Sequence, residues 1–369
     1  MTSPLFSSAN KLKLGTFSAN CSGGMAVTKV EERWDNNWDN NIDLVQQCDE
    51  AGIEFMLPIA RWIGYGGDTD FHGNVLETVT WAAGLAAHSS RIQVFATVHT
   101  AFNHPIVTAK QLATLDQLSG GRIGLNVVAG WNKPEYDAFG KDLPGDHADR
   151  YAMAQEWFDY VQKLWRMDQA FDWEGTFYQG KGVYSLPHPV QDRIPIINAA
   201  ASEEGRNFAM RNADFLFTPV FDFEQARDTV QDISTRAASV SRQVDVLTFC
   251  TVVCRPTQQE AEDYLNWYAD ENADWEAVDN LMTLQGLHAQ SFTPEALGMF
   301  RDRFAAGHGG FPMVGTPDTI ADLLEQLSAT GVAGTALAFV DYAKEFPYFR
   351  QEVLPRLERK GLRQPPQHS

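Results

Sequence analysis

The chain has 369 residues, 44% of them hydrophobic and 12% aromatic, which is ample for a sizeable core. Its formal charge of −19 argues against nucleic acid and anionic membrane surfaces as partners, though not against a local basic pocket for a phosphate. No run of about eighteen apolar residues suggests a membrane span, and the opening MTSPLFSSANKLKLG has no basic region followed by an apolar core, so a cytoplasmic protein is expected.

Strand and helix patterns alternate along the chain. KLKLGTF reads as a first strand and NNIDLVQQCDEAG as its helix; IEFMLPIA and NVLETVTWAAGLAAHSS repeat the pair. IQVFATVHT is a third strand, followed by PIVTAKQLATLDQLSGG, a helix with Pro105 at its start and glycine at its end. RIGLNVVAG is the fourth strand. The long amphipathic helix DRYAMAQEWFDYVQKLWR, a hairpin at FYQGKGVYSL and the fifth strand IPIINAAA come next. EEGRNFAMRNA is the fifth strand's helix. ADFLFTPV with FEQARDTVQDISTRAASV, and then VDVLTFCTVVC, supply the sixth and seventh strands. The rhythm stalls over 256–312, which reads as helical, polar and free of strands, ending in the glycine-rich GHGGFP. It resumes with PDTIADLLEQLSATG, an eighth strand VAGTALAFVD and a last helix, EFPYFRQEVLPRLERKG; the tail RQPPQHS is expected to be disordered.

Eight strands, each followed by a helix, predict one α/β domain over 1–369: a (β/α)8 TIM barrel with an insertion at about 256–312, before the seventh helix. A doubly wound open sheet is the alternative, but SANCSGGMAV after the first strand lacks the GxGxxG fingerprint. The cysteines (Cys21, Cys48, Cys250 and Cys254) form no CxxC pair, so a disulfide or zinc site is not expected. No pair of histidines with a carboxylate has metal-ligand spacing, and no metal site is expected.

In such a barrel chemistry sits at the C-terminal strand ends. Strand one ends at Ser18, Asn20 and Cys21, and strand two at Ala60 and Arg61. Strand three carries Thr97 and His99. Strand four carries Asn126 and runs into Trp131 and Glu135. Arg150 and Tyr151 open the long helix, and strand five ends at Ala201 and Ser202. Buried polar groups cost a few kcal/mol unless hydrogen-bonded. Thr97 and Asn126 therefore either satisfy each other and nearby backbone, or bind a planar heterocycle. Ser202 opens SEEGRNFA; its hydroxyl and the free amides there suit a phosphate, or an ordinary helix cap. His99 is a candidate general base or a packed strand-end histidine. His308, in GHGGFP, is placed on a flexible loop that closes over a substrate.

RIGLNVVAGWNKPEYDAFG, with SSRIQVFATV upstream and ATLDQLSGGR between them, resembles the bacterial-luciferase-like flavin-dependent monooxygenases. ANCSGGMAVTKVEER is similar to the dimethyl sulfone monooxygenase branch. GYGGDTDFHGNVLETVTWAAGLAAHSSRIQVFAT and the GWNKPEY run are closer to the pyrimidine monooxygenase branch. The resemblance covers most of the chain. It implies a TIM barrel that binds reduced FMN (FMNH2) delivered by a separate NAD(P)H-dependent flavin reductase, a transient partner. O2 would add to the flavin at C4a or N5 as a peroxyflavin, and a C–N or C–S bond of a small-molecule substrate would break. A pyrimidine-like N-heterocycle is the favoured substrate, with a sulfone or alkanesulfonate as alternative. A deazaflavin-dependent dehydrogenase and a non-catalytic flavin-binding subunit are rival readings. The family's flavin contacts fall on Ala60, Arg61, Asn126, Glu135, Arg150, Tyr151 and Ser202. Thr97 and Asn126 would border the place where oxygen meets the flavin, with Trp131, Phe95, Phe55 and Trp62 as dry walls. Members usually associate, so a homo-oligomer is expected.

Overall fold

The structure, a computed structural model, describes residues 3–200, 202–287 and 294–366. Its strands in chain order are β1 (Lys13–Phe17), β2 (Phe55–Leu57), β3 (Gln93–His99), β4 (Ile123–Val128), β5 (Phe171–Glu174), β6 (Gln179–Val183), β7 (Ile196–Ala199), β8 (Phe215–Phe217), β9 (Asp245–Cys254), β10 (Phe311–Gly315) and β11 (Gly334–Ala338). Parallel pairing runs β11-β1-β2-β3-β4-β7-β8 and closes through β9, which pairs with both β8 and β11. Eight of these strands thus make a closed parallel barrel with helices between them, and all eight expected strands take part.

Register fixes which side chains fill the interior. Gly15 pairs with Phe55, Phe95 with Gly124, Thr97 with Asn126, and His99 with Val128. Paired residues of parallel strands share a face, and every second residue points the same way. The lowest inward layer uses two glycines to admit two rings. A Cβ on Gly15 would overlap the Phe55 ring, and one on Gly124 the Phe95 ring. Above them Phe17, Phe217 and Phe249 form a tight trio, with centroids 5.0, 5.2 and 5.7 Å apart. Thr97 and Asn126 lie at the next level up, and His99, beside Val128, one level above them. Ile123, Leu125 and Val127, of opposite parity, are buried on the other side, towards the helices.

The connections depart from expectation in four places. The hairpin lies earlier than FYQGKGVYSL suggests, because β5 begins at Phe171. The stretch 256–312 is not free of strands: its end forms β10, which extends the sheet beside the upper half of β9. Its other described elements are helical, with Gln258–Asn266, a π-helical turn at Trp267–Glu271, Trp275–Leu284 and Pro294–Gly307, and residues 288–293 lie outside the described residues. Its aromatic run packs inward at Tyr268, whose hydroxyl donates to the Ala306 carbonyl, while Trp267 is exposed. The last helix is two, Tyr342–Glu352 and Leu354–Arg359. The tail is held at its start, where Arg363 is buried and donates to the carbonyls of Ala51 and Gly52; residues 367–369 lie outside the described residues.

All four cysteines are free and buried. No helix among the described residues is long and apolar enough to cross a membrane.

Gly124→Ala is expected to lower stability by about 1–3 kcal/mol through overpacking against Phe95. The urea midpoint should fall, and Phe95→Leu in the same chain should restore part of it. An unchanged midpoint in Gly124→Ala would mean that the layer is slack.

Candidate active site

The C-terminal rim holds a cavity of about 650 Å³, floored by Phe17 and Phe217 and roofed in part by Leu284, Gln285 and Gly286 from the insertion. Ala60, Arg61, Thr97, His99, Asn126, Arg150, Tyr151, Ser202 and His308 all border it. Nine residues singled out from six separate stretches of sequence therefore meet in one place. Glu135 does not line it; its carboxylate lies behind Arg61. Ala201 lies outside the described residues.

One wall is furnished for an anion. Ser202 caps the helix Glu203–Asn212, its hydroxyl accepting from the Gly205 amide at 3.2 Å. Gly205 is needed here, because a Cβ would come within 2.5 Å of the Tyr151 hydroxyl. The phenol therefore lies close over the first turn. Burial raises its pKa, while Arg150 and a hydrogen bond with Ser202 pull it down. Arg150 is 7% exposed. Among the described residues its guanidinium has no carboxylate partner; it donates to the Gly130 carbonyl at 3.3 Å. A buried cation without a counter-ion, next to a helix N-terminus, is a place where a bound phosphate relieves a cost.

The middle of the cavity is the Thr97–Asn126 pair. Thr97 donates its hydroxyl to the Pro58 carbonyl at 2.6 Å and accepts from Asn126 Nδ2 at 3.2 Å. Asn126 Oδ1 is buried and has no partner. Both sequence readings thus hold in part: the pair is mutually bonded, yet one acceptor is left over at the cavity. Asn20 differs. It is fully buried, with Nδ2 on the carbonyls of Ile59 and Leu76 and Oδ1 taking the Ile59 amide. It ties the loop after β1 to the end of β2 and has nothing left for a ligand.

Arg61 occupies the wall towards β2 and the insertion. It donates from Nη1 to Glu135 Oε1 at 2.9 Å, and the same oxygen takes the Trp62 amide at 2.8 Å. Its guanidinium lies between Tyr65 and Trp131, 4.9 and 5.3 Å from their ring centres, and its Nε has no partner. Trp62 is not a wall of this cavity. Its ring is 44% exposed and meets Phe139 edge-on. Phe55 and Phe95 lie deeper, in the floor packing.

His99 is buried and His308 half-buried, and each has a buried ring nitrogen without a partner, Nδ1 and Nε2 respectively. Burial holds each down to about 4, Arg61 adding to the effect in both and Glu135 opposing it at His99. His308 is not on a free loop. It closes the helix Pro294–Gly307 with φ of 55°. A Cβ on Gly307 would run into Thr251, and one on Gly310 would come 2.9 Å from the Phe249 ring. The GHGG turn is thus pressed onto β9. Missed from sequence was His72, fully buried with φ of 58°. Its Nε2 bonds the Gly24 carbonyl at 2.6 Å, and its ring stacks on Phe71 at 3.9 Å and His308 at 6.0 Å. Only the histidine–glycine pair HG in TDFHGN hinted at a turn there. Among the described residues no three His, Cys, Asp or Glu side chains converge to hold a metal ion.

A parallel barrel whose rim combines an anion cradle, an orphaned amide acceptor and an aromatic floor has the chemistry that suits a phosphate-bearing ligand. The chain belongs to the luciferase-like monooxygenase family, whose model matches residues 12–334. It is 32% identical to the FMNH2-dependent dimethylsulfone monooxygenase of Pseudomonas fluorescens over 356 residues, which is 94% of this chain and 95% of that one. It is 29% identical to the pyrimidine monooxygenase RutA of Acinetobacter baylyi, covering 93% and 94% of the two chains. Among solved structures, riboflavin lyase (RcaE) superposes with a TM-score of 0.86 at 22% identity, covering 97% of this chain and 94% of that one. DmoA from Hyphomicrobium sulfonivorans gives 0.84 at 21%, covering 95% and 88%. These last two establish the shared fold.

The two cavity histidines give a signed pH dependence. Each is held at about 4 against an ordinary 6.5. Below 6.5 the unfolded chain takes up protons that the folded chain refuses, so stability falls as pH drops towards 4 and is indifferent to these groups above that window. The thermal midpoint of the wild type should fall more steeply between pH values of about 6.5 and 4.5 than that of the His99→Asn/His308→Asn double variant. Parallel slopes would show that the imidazoles are not held neutral.

Proposed function

We propose that this protein is the oxygenating component of a two-component monooxygenase. It takes up FMNH2 from a separate NAD(P)H-dependent reductase and uses O2 to oxygenate and cleave a small organic molecule, a pyrimidine-like N-heterocycle in the first instance. The observation that carries this reading is Arg150, a buried guanidinium without a counter-ion among the described residues, beside the Ser202 helix start. Arg150, Tyr151 and Ser202 would hold the FMN phosphate through charge-assisted hydrogen bonds and the helix N-terminus. Asn126 Oδ1, kept in place by the Thr97 hydroxyl, would accept from an N–H of the ring system. Phe17 and Phe217 beneath and Trp131 beside them would keep water out.

Reduced FMN, when bound, supplies the electrons and the oxygen activation; the protein supplies position, dryness and hydrogen bonds. No side-chain nucleophile is required of the protein. His99, uncharged and facing the same space, would donate or accept a hydrogen bond at its free ring nitrogen rather than carry charge. A sulfone is the second candidate substrate, because identity to the sulfone monooxygenases, 32–33%, exceeds the 28–29% to the RutA proteins. The cytoplasm as its location and association into a homo-oligomer belong to the same proposal.

Mixing the protein with FMN, a flavin reductase and NADH, with and without uracil or dimethyl sulfone, tests the reading. A true substrate lowers the peroxide formed per O2 consumed. Absence of FMN affinity in both redox states would overturn it. Arg150→Ala should weaken FMN by about 10- to 100-fold while sparing riboflavin; equal losses for the two would remove Arg150 from the phosphate. Asn126→Ala should leave the FMNH2 dissociation constant within about threefold and raise the peroxide share of the O2 consumed. Unchanged coupling would take Asn126 away from the flavin.

A further inference from the structure

The charges around the cavity are unevenly placed. Among its described lining residues only Arg61 and Arg150 are charged. Arg150 has no counter-ion, and Arg61 has one. The Arg61–Glu135 pair is nearly solvent-free, with side chains 5% and 1% exposed and N···O at 2.9 Å. The Trp62 amide, on the same carboxylate oxygen, fixes Glu135 from a second direction. Arg61 Nε–H and His308 Nε2 remain buried and unpaired. This end is therefore electrically balanced and still polar, whereas the Arg150 end carries an unbalanced positive charge.

We propose that Glu135 is the specificity-determining residue: by cancelling Arg61 it makes the substrate end of the cavity neutral, so that the site takes an uncharged molecule bearing acceptor oxygens and turns away sulfonates and carboxylates of similar size. The proposal rests on the flavin reading, in which Arg150 is spent on the phosphate, and departs from the resemblance at Arg61 and Glu135: their closed ion pair, with Glu135 off the cavity lining, is assigned to the substrate end instead of the flavin. Burying a carboxylate- or sulfonate-sized anion without a compensating charge is far more costly than burying a carbonyl or sulfonyl oxygen that receives a hydrogen bond. His99 and His308 do not supply the missing charge, because burial keeps both imidazoles neutral at working pH. The Tyr65 phenol, pushed up to about 12, adds no negative charge of its own. The Tyr65 and Trp131 rings, 4.9 and 5.3 Å from the guanidinium carbon, pack on Arg61 beside its bond to Glu135.

The test uses the FMN-loaded protein and follows the visible spectrum of bound flavin, which reads occupancy without turnover. Two matched pairs are titrated: dimethyl sulfone against methanesulfonate, and uracil against orotate. In the wild type the uncharged member of at least one pair should bind about 100-fold more tightly than its anionic counterpart. Glu135→Gln leaves Arg61 unbalanced and should tighten methanesulfonate by about tenfold or more. The double variant Arg61→Gln/Glu135→Gln should lose that gain. Methanesulfonate or orotate binding to the wild type as tightly as the uncharged partner would overturn the proposal. So would a folded Glu135→Gln protein that gains no anion affinity, and this second arm decides even if neither uncharged compound fits. Should Glu135→Gln fail to fold, the wild-type pairs decide alone. Failure to take up FMN at all would instead sink the flavin reading, so the two failures are distinguishable.

Discussion

Inward-facing side chains of a parallel barrel come in rows of period two, and this molecule depends on where the apolar part of those rows stops. Phe55 and Phe95, then Phe17, Phe217 and Phe249, fill the lower layers. Two glycines make the lowest layer possible by leaving room for the rings. Higher up, the same rows present Thr97 and Asn126 and then His99. A polar residue in mid-strand is expensive where packing is complete. Here it is placed at the level where packing ends, so the cost of Asn126 falls on the cavity and not on the core. Phe17 and Phe217 of the aromatic trio also give the cavity an apolar floor.

The second organising constraint is charge. A chain with a formal charge of −19 has little general attraction for an anion, so any anion site must be local. The rim achieves this with two arginines in opposite states. Arg150 is buried without a counter-ion, while Arg61 is buried with Glu135 directly behind it. One cavity therefore offers a positive end and a balanced end. The histidines on its wall stay uncharged because burial, with Arg61 nearby, disfavours the imidazolium.

Much of the fold was legible because its signals are local. Hydrophobic runs bounded by glycine, proline and helix caps located all eight barrel strands. Strand ends rich in polar residues then located the rim. Nine of the ten named site residues line the cavity, since a closed barrel brings every strand end to the same place. What was not legible is pairwise geometry. Glu135 sits on a short helix, Lys133–Ala138, whose packing turns the carboxylate towards Arg61, and nothing in GWNKPEY specifies that direction. Trp62, one residue beyond Arg61, points outward because its own amide is tied to Glu135. The GHGG stretch read as a flexible loop because glycine serves both mobility and close packing; here it serves close packing, against Thr251 and Phe249. His72 has no periodic or motif signal and emerges only from its stacking with His308.

The burial of every cysteine also bears on durability. Thiolates, not thiols, are the species that oxidants attack. Burial raises all four sulfhydryls, with Cys21, Cys250 and Cys254 pushed up to about 12. A protein that handles dioxygen beside a reduced dye is exposed to its own stray hydrogen peroxide. Oxidative wear in this chain is thereby diverted to methionine thioethers at the surface, with Met299, 74% exposed, well ahead of Met167 at 37%. Sulfoxidation of those side chains is reversible by reductases and leaves the barrel interior untouched.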